Sequence, residues 1–147
     1  MTKIYTLLAL TFALFLSACS PEPDSSPQPT SLLVGGKYTV INYWAEWCKP
    51  CREEIPELNA LASQYAKDVV VYGINFDGVN GEALIALSDE FGIEYPSADI
   101  SLAQKLGIPR PIALPTTVIF DPEGKQIRSL VGPQTTESLA KFFATKN

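Results

Sequence analysis

Apolar and polar positions along this chain change period several times, and each change marks an element. Tyr38 to Trp44 (YTVINYW) is a β-branched and aromatic run, the pattern of a buried strand, and Gly35-Gly36 before it marks a turn. From Pro50 the period becomes helical: Ile55, Leu58, Leu61, Ala62, Tyr65 and Ala66 recur at three- and four-residue spacing, giving one apolar face. Pro56 falls inside this helix, removes one backbone hydrogen bond and predicts a kink there. Val69 to Phe76 (VVVYGINF) is near-continuously apolar, as a central strand covered on both faces should be. Strand, helix, strand in that order predicts a right-handed parallel crossover.

Asn80-Gly81 opens a further helix, with Leu84, Leu87 and Phe91 on one stripe and Gly92 at its end. Ile93 to Ala98 reads as a short strand, Leu102 to Leu106 as one or two helical turns, and Thr116 to Phe120 as a strand. Asp121-Pro122-Glu123-Gly124 has turn chemistry, so Gln126 to Val131 should return antiparallel. Thr135 or Thr136 caps a last helix, with Glu137 early and Lys141 and Lys146 late, signs that suit the helix dipole. No internal repeat is visible. The pattern predicts one α/β domain over residues 32–147. It has a mixed central sheet, helices on both faces and an inserted helical segment after the βαβ unit.

Residues 1–18 read as a processing signal. Lys3 gives a positive start, and Ile4 to Leu16 is an apolar run of thirteen residues, short for a membrane span. Leu16-Ser17-Ala18-Cys19 follows and resembles the lipobox of bacterial lipoproteins. The resemblance implies that Cys19 is acylated and becomes the mature N-terminus, held in the bilayer by several acyl chains. Residues 19–31 then form a tether. Ser20 to Ser31 holds four prolines, four serines and no large apolar side chain, so it cannot bury enough surface to fold. Fully extended it reaches roughly 35 Å. The lipoprotein reading places the domain in the bacterial cell envelope, facing the periplasm, with inner and outer membrane both open.

The chain is 46% hydrophobic and 18% charged, a globular balance. Eleven Lys and Arg stand against sixteen Asp and Glu, a net charge of −5 with no basic cluster. That excludes a nucleic-acid binder and electrostatic adhesion to anionic lipid. There is no histidine, so the commonest general base and metal ligand is missing. With Cys19 assigned to lipid, Cys48 and Cys51 are the only remaining thiols, and export allows them to form a disulfide.

These two cysteines stand three apart where the first strand gives way to its helix, in Trp44-Ala45-Glu46-Trp47-Cys48-Lys49-Pro50-Cys51. Cys48 at the helix N-terminus faces unpaired N–H groups, and Lys49 adds a positive charge; both favour its thiolate. Cys51 lies one turn on, on the same face and deeper. Cys48 is therefore the expected exposed nucleophile and Cys51 the resolving thiol. Pro50 suits the first turn, where its missing N–H costs nothing. Trp44 and Trp47 are expected to wall the site. A zinc half-site lacks a second ligand pair, and a structural disulfide closing so short a loop would constrain the unfolded chain little.

Asn42 to Cys51 (NYWAEWCKPC) resembles the active-site stretch of the thioredoxin superfamily, most similarly the TlpA/ResA-like membrane-tethered thiol–disulfide oxidoreductases. The resemblance covers about Lys37 to the C-terminus. It implies a thioredoxin-like three-layer fold, a redox-active Cys48–Cys51 disulfide, and no cofactor or metal. Leu114-Pro115-Thr116 matches the family's cis-proline loop, which packs against the CxxC and offers backbone groups to an extended substrate. Ordinary thioredoxins have a buried aspartate where this chain has Asn42. The TlpA/ResA group has a glutamate three residues after the second cysteine, where Glu54 stands. The resemblance thus makes Glu54 the proton acceptor for Cys51, with Glu53 a solvated neighbour. Trp47, Lys49, Pro50, Leu114 and Pro115 are expected to shape the substrate surface. The stretch from Asp77 to Leu114 is long enough for the group's helical insertion, while the usual N-terminal hairpin is abbreviated. Peroxiredoxins carry Thr or Ser where this chain has Ala45, and copper-handling relatives carry CxxxC with a histidine.

The resemblance implies a monomeric reductase of disulfide-containing protein substrates, re-reduced by a membrane thiol donor. An apocytochrome c in cytochrome c maturation, an oxidised envelope protein and a small disulfide all fit as substrate. The alternative is a thioredoxin-like binding or chaperone lipoprotein whose disulfide is structural.

Overall fold

Among the described residues, five strands form one sheet in the order Ser97–Ala98, Val69–Asn75, Tyr38–Trp44, Thr116–Phe120 and Gln126–Val131, so the first strand of the chain lies in the middle. The computed structural model describes residue 33 and residues 35–143. The elements in chain order are β1 (Tyr38–Trp44), α1 (Lys49–Gln64), β2 (Val69–Asn75), α2 (Gly81–Glu90), β3 (Ser97–Ala98), α3 (Ile100–Lys105), β4 (Thr116–Phe120), β5 (Gln126–Val131) and α4 (Thr136–Ala140). Strand β1 pairs parallel with β2 and antiparallel with β4, so the sheet is mixed as the pattern predicted. The signal, Cys19 and tether readings fall outside the described residues. Among those described, no helix is long and apolar enough to cross a membrane.

Alternation along β1 decides what each face of the sheet carries. Val40 and Trp44 point into a core closed by Ile55, Leu58 and Leu61 of α1, Leu84 of α2 and Leu139 of α4. Ile41 and Tyr43 point the other way, into a smaller core with Ala103 of α3, Leu106 and Ile108 just after it, Val118 and Phe120. Asn42 lies between Val40 and Trp44 on the α1 side, a polar group placed in the larger core by strand geometry alone.

Helix α1 begins at Cys48, whose sulfur accepts from the Cys51 N–H at 3.3 Å. Pro56 sits within α1 without ending it. One missing N–H is a small loss beside the burial of Ile55, Leu58 and Leu61 on the sheet. At the far end of the fold, Thr135 caps α4, with reciprocal bonds to Ser138. Thr136 then ties α4 to α1, its N–H and hydroxyl both bonding Glu57 at 2.8 Å. These bonds hold Glu57 below the usual carboxylate range.

Three expectations are corrected. The strand at Ile93 to Ala98 shortens to Ser97–Ala98, because Ile93 and Tyr95 turn inward as core rather than pairing. The helix expected at Leu102 starts earlier, at Ile100, because Asp99 caps it through the Ser101 N–H at 2.8 Å. The described last helix ends at Ala140, a shorter element than the charge pattern suggested, and Lys146 lies outside the described residues.

Candidate active site

The β1–α1 junction creates the site. The strand ends at Trp44, the chain turns through Ala45 to Trp47, and Cys48 becomes the N-cap of α1. Cys48 and Cys51 are joined as a disulfide with Cα atoms 5.3 Å apart. The backbone N–H of Cys51 points at the Cys48 sulfur, the arrangement that favours negative charge there. One expectation changes. Cys48 is not an exposed sulfur in this oxidised state: it is 3% exposed against 1% for Cys51, because both belong to the larger core cluster. Lys49 is also less available than its position suggested. Its ammonium lies 3.9 Å from Glu53 on the solvent side of α1, so a neighbouring carboxylate offsets its charge.

The two tryptophans have different surroundings. Trp44 is core, tilted against Phe91 with ring centres 5.7 Å apart. Trp47 is 63% exposed and is held from two sides. Its Nε1 donates to Asp77 Oδ2 at 2.8 Å, and its ring stands edge-on to Phe76.

Beneath the cysteines lies Glu54, one turn beyond Cys51 on α1 and 1% exposed. Asn42 Nδ2 donates to its Oε1 at 2.6 Å, and the Gln134 N–H donates to its Oε2 at 2.9 Å. Burial outweighs both hydrogen bonds and raises Glu54 to about 7. Its negative charge adds to burial in pushing the Tyr95 phenol upward. Glu53, by contrast, is exposed. Among the described residues no cluster of side chains is arranged to hold a metal.

The Leu114–Pro115 peptide bond is cis. Leu114 packs against the cluster containing Cys48 and Cys51, while the Pro115 carbonyl accepts from the Gly132 N–H at 2.9 Å. The structure therefore brings Cys48, Cys51 and Glu54 together on α1, with Leu114 beside them; Pro50 is half-buried in the first turn. No local pattern in the chain signals the Gln134 backbone as a partner of Glu54, or Phe76, Asp77 and Arg110 as neighbours of Trp47. Arg110 lies over the Phe76 ring at 4.0 Å and donates to the Phe76 carbonyl at 3.1 Å. Those partners are 29 to 80 residues apart, beyond any local pattern.

Known proteins resemble this chain in sequence and in fold. The AhpC/TSA family matches residues 23–128. The thiol-disulfide oxidoreductase ResA of Bacillus thuringiensis (strain Al Hakam) is 34% identical over 110 residues, 74% of this chain and 62% of that protein. ResA of Bacillus subtilis (strain 168) is 34% identical over 112 residues, 74% of this chain and 60% of that protein. The chain thus spans about three fifths of the length of these relatives. Among solved structures, a DsbF homologue from Corynebacterium diphtheriae superposes with a TM-score of 0.59 at 30% identity, covering 73% of this chain and 70% of its own. StoA from Bacillus subtilis, at 20% identity and a TM-score of 0.61, shows the shared fold over 74% of this chain and 84% of its own. At the position where peroxiredoxins carry a hydroxyl, three residues before Cys48, this chain has buried Ala45. A mixed thioredoxin-like sheet, CxxC at the head of α1, a cis proline and a buried glutamate one turn on agree with these matches: the chain belongs to the AhpC/TSA family, as a TlpA/ResA-like member of the thioredoxin superfamily.

Proposed function

We propose that this protein is a thiol–disulfide oxidoreductase that reduces disulfides in protein substrates. The observation that carries the reading is the Cys48–Cys51 pair at the head of α1 with a buried carboxyl, raised to about 7, one turn away. In the reduced enzyme the Cys48 thiolate attacks one sulfur of a substrate disulfide. That S–S bond breaks, and the departing substrate thiolate takes a proton from solvent. Glu54 accepts the Cys51 proton, and the Cys51 thiolate attacks the Cys48 sulfur of the mixed disulfide. The second substrate thiolate leaves and is protonated. Two electrons have passed to the substrate, and Cys48–Cys51 is oxidised. A pKa near 7 lets Glu54 both take and return a proton at neutral pH.

The ResA relatives are named thiol-disulfide oxidoreductases, which supports the redox class. We place the domain in the periplasm of the bacterial envelope, anchored through acylated Cys19 and re-reduced by a membrane dithiol protein. Support for the anchor is the Leu16–Cys19 stretch and the proline-rich segment after it. The test is a Cys51→Ala variant of the full chain, reduced and mixed with a disulfide protein such as insulin. A reductase accumulates a mixed disulfide through Cys48, and a Cys48→Ala variant does not. A binding module with a structural disulfide forms no covalent adduct and binds its partners equally well without Cys51.

A further inference from the structure

The segment joining α3 to Pro115 is built to be stiff. Ile108 precedes Pro109 and Arg110 precedes Pro111. A residue before proline is pushed to extended backbone, and each proline fixes its own φ. Arg110 is pinned further by lying on Phe76 and bonding its carbonyl. Through the same ring it is joined to Trp47.

Beyond Arg110 the segment walls a groove of about 360 Å³ on the α3 side of β4 and β5. Ile112, fully exposed, and Val131, 66% exposed, flank it, with Thr116 and Val118 beneath. The groove runs up to the active site: Thr116 follows Pro115, and Val131 precedes Gly132, whose N–H bonds the Pro115 carbonyl. Four large apolar side chains are exposed among the described residues. Two of them line this groove, and a third, Trp47, is tied to its rim through Phe76. Such gathering marks a binding surface. In a chain of net charge −5, Arg110 is the one charged residue lining the groove, and among the described residues it joins no ion pair.

We propose that this groove holds the stretch of a protein substrate that adjoins its reactive disulfide, and that it favours stretches placing an acidic residue beside an aliphatic one. The inference rests on the reductase reading and names the substrate chemistry of that site. The aliphatic side chain lies between Ile112 and Val131, and the acidic one meets the Arg110 guanidinium at the rim. The continuity with Pro115 favours this occupant, because a chain lying there carries its own cystine to Cys48. Residues 20–32 of this protein contain no cysteine to deliver.

The test uses the full reduced protein in single turnovers with peptides cyclised by a disulfide, carrying Leu-Glu, Leu-Lys or Ser-Gln beside one cysteine. The expected half-saturating concentration is lowest for Leu-Glu, about 5-fold below Leu-Lys, the size a rim ion pair supports. The difference shrinks as salt rises. Arg110→Glu reverses the order of Leu-Glu and Leu-Lys. Ile112→Ser raises half-saturation for both leucine peptides and removes their advantage over Ser-Gln. Ile85→Ser, an exposed apolar change on α2, serves as the control and alters neither parameter. Equal half-saturation for all three peptides overturns the proposal. So does a uniform fall in limiting rate in Arg110→Glu without a change of order, which would make Arg110 a prop for Phe76. A dimer dispersed by Ile112→Ser, or a deletion of residues 20–30 that tightens every peptide equally, also overturns it by assigning the groove to another occupant. If small disulfides are reduced but peptides are not discriminated, the groove fails and the reductase reading stands. If neither peptides nor small disulfides oxidise the dithiol, both fail.

Discussion

Asn42 and Glu54, twelve residues apart, meet in the core through a 2.6 Å hydrogen bond from Asn42 Nδ2 to Glu54 Oε1. The bond joins the central strand to the helix that carries both cysteines. It also sets which partner titrates. An amide takes no proton near neutrality, so the proton chemistry beneath the cysteines falls to Glu54. Asn42 steadies the carboxylate, burial opposes it, and burial prevails.

The stability of the folded chain should depend on pH through Glu54. Glu54 moves from 4.5 to about 7 on folding, so between those values the folded chain holds a proton that the unfolded chain has released. Its contribution is therefore greatest below about pH 4.5, declines as pH rises toward 7, and is flat above. The full span is at most about 3 kcal/mol. Glu54→Gln should remove this slope and leave the oxidised protein more stable at pH 8. The Gln134 N–H keeps an acceptor in the new amide oxygen. Asn42 accommodates the new NH₂ by turning its Oδ1, which has no hydrogen-bond partner among the described residues, toward it. Urea unfolding at pH 5, 6.5 and 8 checks this; an unchanged slope would place the sensitivity elsewhere.

Asn42→Asp tests the same contact from the strand. Two carboxyls at hydrogen-bonding distance in a buried site cannot both ionise readily, so the pair should retain a proton well above pH 7. The variant should lose about 2–3 kcal/mol relative to wild type at pH 8 and much less at pH 5. Equal losses at both pH values would point to packing rather than charge.

Alkylation of the reduced protein separates the cysteines. The N-cap position, with the Cys51 N–H directed at its sulfur, should give Cys48 a pKa below the free value of about 8.5 and the faster labelling. Cys51 should lag and change its reactivity near pH 7, where Glu54 ionises, and Glu54→Gln should abolish that inflection. Mass mapping of iodoacetamide adducts from pH 5 to 9 distinguishes the two sulfurs. Faster labelling of Cys51 would reverse their roles.

Glu54→Gln should also slow release of substrate from the mixed disulfide by about 10- to 100-fold while sparing the first attack, the range a positioned proton acceptor supplies. Glu53→Gln, on the exposed side of α1 and paired with Lys49, is the comparison and should change little. Stopped-flow single turnovers with one disulfide peptide resolve the two phases.

Cys19→Ser should release the protein into the soluble envelope fraction or leave an unprocessed precursor. Intact mass of the wild-type mature protein should show acyl chains on residue 19. A bare N-terminus would remove the proposed anchor.

Local chemistry along the chain determined β1, α1, β2, the Asp121–Gly124 turn and the β4–β5 return, because period, turn residues and capping act over a few neighbours. The same reach covers Cys48 at a helix start and Glu54 one turn past Cys51. It does not extend to Asn42, twelve residues from Glu54, or to the Gln134 N–H, eighty residues away. Sequence spacing tells which face a side chain occupies, but not which distant group it meets there. Burial is likewise a property of the whole fold: Cys48, at a surface turn in the sequence, is covered once α1 docks on the sheet. The sequence alone determined that two thiols and a carboxyl share one helix face. Only the tertiary structure decided that the carboxyl is buried and titrates near neutrality, and that Arg110 reaches Trp47 through Phe76. Desolvation and long-range contacts exist only after the chain has closed on itself.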